Sequence, residues 1–299
     1  MSIARALLLR ASRSKWLAEQ FRKRAFAKRA VKRFMPGEDA GAALDAAEVF
    51  AKEGIGTLFT ELGEQIENVS EAAEVRDDYY KLLDAIRDRK LPAHVSVKAT
   101  HLGMRLDPAF CRQAVIDLAK RAEEIGSLLW IDMEESWYVD ETLALFRDVR
   151  NTGRQVGLAM QAYLYRTPKD VESLLPLEPV VRLVKGAYNE SAEVAFPKKA
   201  DTDRAYLEIG EQLLKGGAYP VFGTHDMAIV EEIRRRHGAN GYEVHMLYGI
   251  KSGEQRALAK SGVTVKVLIS YGEHWFPWYV RRLAERPANV WFVVKNMWG

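Results

Sequence analysis

The sequence predicts an α/β protein, a (βα)8 barrel of the TIM type with an N-terminal helical arm. Three observations predict it. From Glu38 onward, short runs rich in Val, Ile and Leu alternate with longer charged stretches of helical character. Such alternation implies a parallel sheet. Eight units of this kind fit the length of the body, since a closed barrel takes about 250 residues. The fingerprint of the competing open, doubly wound sheet is also missing. That fold carries G-x-G-x-x-G in the turn between its first strand and first helix. Here Gly54-Ile55-Gly56-Thr57-Leu58-Phe59 lacks the third glycine and runs on as strand. No G-x-x-x-x-G-K-[ST] phosphate loop occurs either.

The elements follow in order. Residues 14–34 read as a helix, with Trp16, Leu17, Phe21, Phe26, Val31 and Phe34 set among many bases. Pro36-Gly37 ends it, because proline disfavours helix in the residue before it and glycine frees the turn. The chain therefore divides into an arm, 1–37, and a barrel, 38–299. Strands are expected at 56–62, 94–99, 128–133, 156–162, 180–185, 219–223, 242–247 and 264–269. Helices are expected at 71–90, 108–125, 139–151, 202–215, 227–237 and 252–260, with a last one at 275–285.

The bulk numbers narrow the class. Hydrophobic residues make up 48% and charged residues 28%, the usage of a globular domain. Cys111 is the single cysteine, which excludes an internal disulfide and a cysteine metal cluster and fits a reducing, cytoplasmic setting. The six histidines show no close ligand spacing, so no metal site is expected. No stretch approaches the roughly 20 apolar residues of a membrane span. Leu7-Leu8-Leu9 is too short for the core of an export signal.

The net charge of +3 is unevenly spread. Residues 1–36 hold eleven Lys or Arg against Glu19 alone, a charge of +10. That leaves 33 bases and 40 acids, or −7, for the rest. A basic arm of this kind suits peripheral contact with an anionic membrane at its inner face, or packing on the barrel or a second subunit. Nucleic acid is not expected, because no recognition motif accompanies the charge.

In a (βα)8 barrel the active site lies at the C-terminal strand ends. The polar residues there are Glu61, Glu64, Lys98, Asp132, Gln161, Arg182, Lys185, Thr224-His225-Asp226 and Tyr271. Each alone reads as a solvated loop residue or an ion-pair partner; so many together mark a site. In the last helix Arg281 and Glu285 are four apart and share a face. Adjacent Arg281 and Arg282 suit a bidentate clamp on a carboxylate.

Several of these segments carry a resemblance. Arg182-Leu183-Val184-Lys185-Gly186-Ala187-Tyr188 resembles the flavin-binding strand of the FAD-dependent, monofunctional bacterial proline dehydrogenases. So do Gly223-Thr224-His225-Asp226, Met246-Leu247-Tyr248-Gly249 and the segment from Arg281 to Asn289. Leu62-Gly63-Glu64, Ser96-Val97-Lys98 and Asp132-Met133-Glu134 match as well, in the family's order, from about residue 56 to 292.

The resemblance implies oxidation of proline to Δ1-pyrroline-5-carboxylate, by hydride transfer from C5 to FAD. It implies a quinone as the electron acceptor. Gln161, Arg182, Val184, Lys185, Gly186, Ala187, Thr224 and His225 would line the cofactor. Lys98, Arg281 and Arg282 would hold the substrate carboxylate, with Asp132 and Glu285 orienting those cations. Tyr188 and Leu247 would stand near the substrate ring, and Trp278 is a further neighbour. One position departs from the pattern. Many members carry a tyrosine three residues before the Tyr271-Gly272 pair, where it screens out hydroxyproline; this chain has Leu268. It also has Ser270 where the family's usual proline precedes Tyr271. A cyclic amino acid close to proline, hydroxyproline included, is the expected substrate. The rival readings are a barrel lyase with Lys98 or Lys185 as Schiff base, and a scaffold without catalysis.

Overall fold

The computed structural model describes residues 31–63, 66–276 and 279–280. Eight parallel strands close into a barrel in sequence order, and β1 pairs with β8 to complete it. The strands are β1 (Gly56–Glu61), β2 (Ala93–Val97), β3 (Leu129–Ile131), β4 (Val156–Gln161), β5 (Val180–Val184), β6 (Tyr219–Gly223), β7 (Glu243–Leu247) and β8 (Thr264–Tyr271). Helix α1 (Ala40–Lys52) precedes the first strand. The strands are then followed in turn by α2 (Val69–Asp88), α3 (Pro108–Glu124), α4 (Val139–Asn151), α5 (Thr167–Leu174), α6 (Lys199–Lys215), α7 (Met227–His237) and α8 (Ser252–Lys260).

Two of these helices add to the expected set. In α1 the buried stripe is Ala43, Leu44, Ala47 and Phe50, half of it alanine, which weakens the periodic signal. Helix α5 has only eight residues and buries Thr167, Val171 and Leu174. Local chemistry fixes several starts. Asp39 accepts from Ala42 N at 2.8 Å and Asp107 from Phe110 N at 2.9 Å, each satisfying an orphan amide of a first turn. Asn68 accepts from Glu71 N at 3.0 Å, while Glu71 accepts from Glu67 N and Asn68 Nδ2, both at 2.8 Å, a reciprocal cap.

Two cores result from the alternation of side chains along each strand. The larger lies between strands and helices and includes Phe59, Val95, Ile131, Leu183, Phe222 and Ile269. The smaller fills the barrel, where Leu58, Trp130 and Val221 meet Leu128, Val180 and Leu268. Side chains two positions on share the inward face, which places Asp132, Arg182 and Ser270 toward the barrel's C-terminal mouth.

The chain enters and leaves the barrel at one place. Val31, Phe34 and Met35 are buried, and Phe34 packs on Tyr279 with ring centroids 6.2 Å apart. Trp275 Nε1 donates to Glu38 at 2.8 Å. Trp275, Phe276, Tyr279 and Val280 are helical. Gly249 has φ +72, and a Cβ there would overlap the Arg33 carbonyl oxygen. The glycine in the Met246-Leu247-Tyr248-Gly249 motif thus serves backbone-to-backbone packing against residues 31–35.

Candidate active site

Arg182 is the centre of the polar cluster at the barrel mouth. It projects from β5 into the barrel and is 5% exposed. Its Nη2 donates to Ser96 Oγ at 2.9 Å and to Asp132, and Ser96 Oγ in turn donates to Asp132 at 2.9 Å. Its guanidinium carbon lies 4.8 Å from the centroid of Trp130. Burial pulls its pKa down while Asp132 opposes the shift, and at so basic a group the charge persists. Its Nη1 is buried with no hydrogen-bond partner among the described residues.

This geometry gives Asp132 partners on the barrel's inner face. Its described partners are Arg182 and Ser96. The reason is positional: Ser96, Asp132 and Arg182 all point inward from β2, β3 and β5 and meet across the barrel. Lys98, just beyond β2, has its Nζ 3.4 Å from Gly63 O. Arg281, Arg282, Glu285 and Trp278 lie outside the described residues.

Around Arg182 the other expected residues fall into two groups. Gln161 ends β4 and is buried; its Nε2 donates to Met133 O at 3.2 Å and Glu134 O at 2.6 Å. That leaves Gln161 Oε1 with no partner among the described residues. Glu134, also buried, accepts from Thr100 N at 3.1 Å and Thr100 Oγ1 at 2.6 Å, tying the loop after Lys98 to the end of β3. Val184 is half-buried at the end of β5 beside Gly223, where a Cβ would stand 2.7 Å from Val184 Cγ1. Gly186 has φ +120, and a Cβ there would run into the Tyr163 ring. Thr224 is buried, and His225 Nε2 accepts from Leu247 N at 2.8 Å. Leu247 and Leu268 are register partners on β7 and β8 and form one apolar wall.

The second group lies toward the rim. Lys185 bonds Asp203 at 2.5 Å and Asp226 at 2.8 Å, and Lys199 joins the same two acids. Ala187 is exposed and Tyr188 half-buried on the loop after β5. Glu190 pins that loop by accepting from Ser136 N and Oγ, both at 2.7 Å.

Glu61 carries more than its strand-end position alone indicates. It faces outward from the end of β1, beside a cavity of about 450 Å³ lined also by Asp78, Lys81 and Tyr271. Burial, then the nearby Asp78, pushes its carboxyl up to about 7, with Lys98 opposing. Its strand-end position was legible; the burial that raises its carboxyl, and after it the Asp78 on helix α2, come from tertiary packing that no local spacing reveals.

A sequence profile of the family described as Proline dehydrogenase matches residues 43–295. The chain belongs to the proline dehydrogenase family. Proline dehydrogenase 2 of Bacillus subtilis (strain 168) is 36% identical over 266 residues, covering 87% of this chain and 88% of that protein. Proline dehydrogenase of Deinococcus radiodurans is 36% identical over 275 residues, covering 89% of each chain. Among solved structures, proline utilization A from Bdellovibrio bacteriovorus, inactivated by N-propargylglycine, superposes with a TM-score of 0.78. At 22% identity that similarity speaks for the barrel fold; it covers 92% of this chain and 35% of the longer one. The family is one of oxidoreductases acting on proline, and its reaction opens proline catabolism.

Proposed function

We propose that this chain binds FAD across the C-terminal mouth of the barrel and oxidises L-proline to Δ1-pyrroline-5-carboxylate. The observation that carries the reading is Arg182, a buried cation held at the mouth through Nη2 by Asp132 and Ser96, with its Nη1 unused. The residues present fit a flavin. Arg182 Nη1 offers an unused donor and Gln161 Oε1 an unused acceptor, both buried. Gly186 and Gly223 keep the mouth free of side chains where a Cβ would collide with Tyr163 or Val184. Thr224, His225, Lys185 and Ala187 complete the lining on the β5 and β6 side.

The chemistry that FAD supplies when bound is acceptance of the hydride leaving proline C5. Arg182 fixes a positive charge where negative charge builds on reduction, an interaction prepared before the reaction and shielded from water. Lys98, with Arg281 and Arg282, binds the substrate carboxylate. Leu247 and Leu268 present an apolar wall to the methylene ring, with Tyr188 and Trp278 as its further neighbours. Glu285, four residues on from Arg281 in the sequence, has the role of orienting those arginines. Electrons then pass to a quinone, and the +10 charge of residues 1–36 supports peripheral attachment to an anionic membrane face.

The visible spectrum of the purified protein tests this, read before and after proline is added without oxygen. Flavin bands that bleach with proline are expected. Bands that persist with proline but bleach with hydroxyproline would shift the substrate, and a protein that takes up no FAD would overturn the reading.

A further inference from the structure

Trp130 has a more defined setting than an interior space-filler needs. It is fully buried on β3, inside the barrel. Its register partner on β4 is Gly157, where a Cβ would stand 2.5 Å from the indole. Its Nε1 donates to His94 Nδ1 at 3.2 Å. His245 meets it edge-on at 5.4 Å and 71°. The indole is thus held from three directions, and Arg182 lies over its face at 4.8 Å.

The two bonds made by Arg182 Nη2 fix one edge of the guanidinium and leave it free to tilt about that edge. Stacking on the indole removes that freedom, because a cation is drawn to the ring face, and more strongly where water is excluded. The direction of the unused Nη1 then depends on the indole. We infer that Trp130, seated by Gly157 and His94, is a positioning residue that aims Arg182 and thereby sets the reduction potential of the bound flavin. The inference rests on the flavin reading above.

The test is the flavin midpoint potential of the FAD-loaded protein, by redox titration of wild type, Trp130→Leu, Gly157→Ala and Trp130→Phe. Trp130→Leu removes the face. It should lower the reduced-to-oxidised ratio at fixed poise at least tenfold, a potential about 30 mV more negative for a two-electron couple. Gly157→Ala displaces the indole without altering Arg182, Asp132 or Trp130 and should shift the ratio at least threefold in the same direction. Trp130→Phe keeps an aromatic face and should shift it least. In an Arg182→Met background, Trp130→Leu should add nothing. An unshifted potential in Gly157→Ala would overturn the assignment even if Trp130→Leu failed to fold. Wild type without FAD overturns the functional reading and this one together; FAD-loaded wild type with unshifted variants overturns only this one.

Discussion

The two ends of the barrel interior are built from similar residues and finished differently. At the N-terminal floor, Lys266 Nζ donates to both oxygens of Glu243 at 2.9 and 2.8 Å, and His245 Nε2 meets the same carboxylate at 3.0 Å. Burial works against the Glu243 charge, but His245 and Lys266 outweigh it and hold the carboxyl down to about 2. Burial lowers His245 to about 4, so its imidazole is neutral at physiological pH, and its Nδ1 is the one atom of this group without a partner among the described residues. At the mouth, Arg182 Nη1, Gln161 Oε1 and Ser270 Oγ are all buried without partners among the described residues. Buried polar groups are normally satisfied, so a concentration of unsatisfied ones marks the end built for something else to bind. The floor is finished for stability and the mouth is left open for chemistry.

The largest effect should come from breaking the floor. Glu243→Gln leaves Lys266 buried beside a neutral amide, and removing one partner of a buried pair costs about 3–5 kcal/mol. Urea unfolding should show that loss, while FAD content per folded molecule stays at the wild-type level. The pH sign follows from the same carboxyl. Its folded pKa of about 2 lies below the unfolded value of 4.5, so its stabilisation is present above 4.5 and lost as pH falls toward 2. A large fall in FAD content with little change in stability would break the division between floor and mouth.

Arg182→Met tests the other end. Loss of one prepared charge-stabilising donor costs on the order of 10²–10³ in turnover. The variant should lose about that much of kcat with proline and an artificial dye acceptor. Its stability should change less than that of Glu243→Gln, since Asp132 keeps Ser96. Turnover within tenfold of wild type would remove Arg182 from the centre of the mechanism.

How much of this contrast was legible in the sequence depends on the distance over which each feature is encoded. The barrel was, because each βα unit announces itself within some thirty residues and parallel closure follows. The strand-end positions of Lys98, Asp132, Gln161 and Arg182 were, because inward parity can be counted along a run. The pairing of Asp132 with Arg182 was not. It joins β3 to β5 across the barrel, and both acid–cation assignments leave the same linear pattern. The fit of Trp130 to Gly157 was hidden likewise, since it depends on the register between two strands. Helix α1 was missed because two of the four residues in its buried stripe are alanine, which weakens the apolar contrast.

Glu61 gives a smaller effect and sharpens the comparison from outside the barrel wall. Its folded pKa of about 7 lies above the unfolded 4.5, so the folded state holds the proton more tightly. Its contribution is therefore complete below pH 4.5 and is lost as pH rises to 7. The loss is up to about 3 kcal/mol, at 1.36 kcal/mol per pKa unit. Glu61→Gln should remove that slope: the difference in stability between variant and wild type should grow in the variant's favour from pH 5 to pH 8. A difference independent of pH would mean that the carboxyl is ionised throughout.

The smallest effect is expected where the mouth is already closed. Lys185 and Lys199 share Asp203 and Asp226 at the rim, all four partly open to water. Asp203→Asn leaves Lys185 bonded to Asp226 at 2.8 Å and Lys199 bonded to it at 3.0 Å. Ion pairs this exposed contribute about 0–1 kcal/mol, so the melting midpoint should hardly move. The charge balance does change, because two lysines then share one acid. If Lys185 faces an anionic part of FAD, the variant should bind FAD slightly more tightly, and high salt should erase the gain. Weaker binding would mean that Asp203 acts at the mouth by orienting Lys185 rather than by neutralising it, and the rim would then belong with the unsatisfied interior as part of the working site.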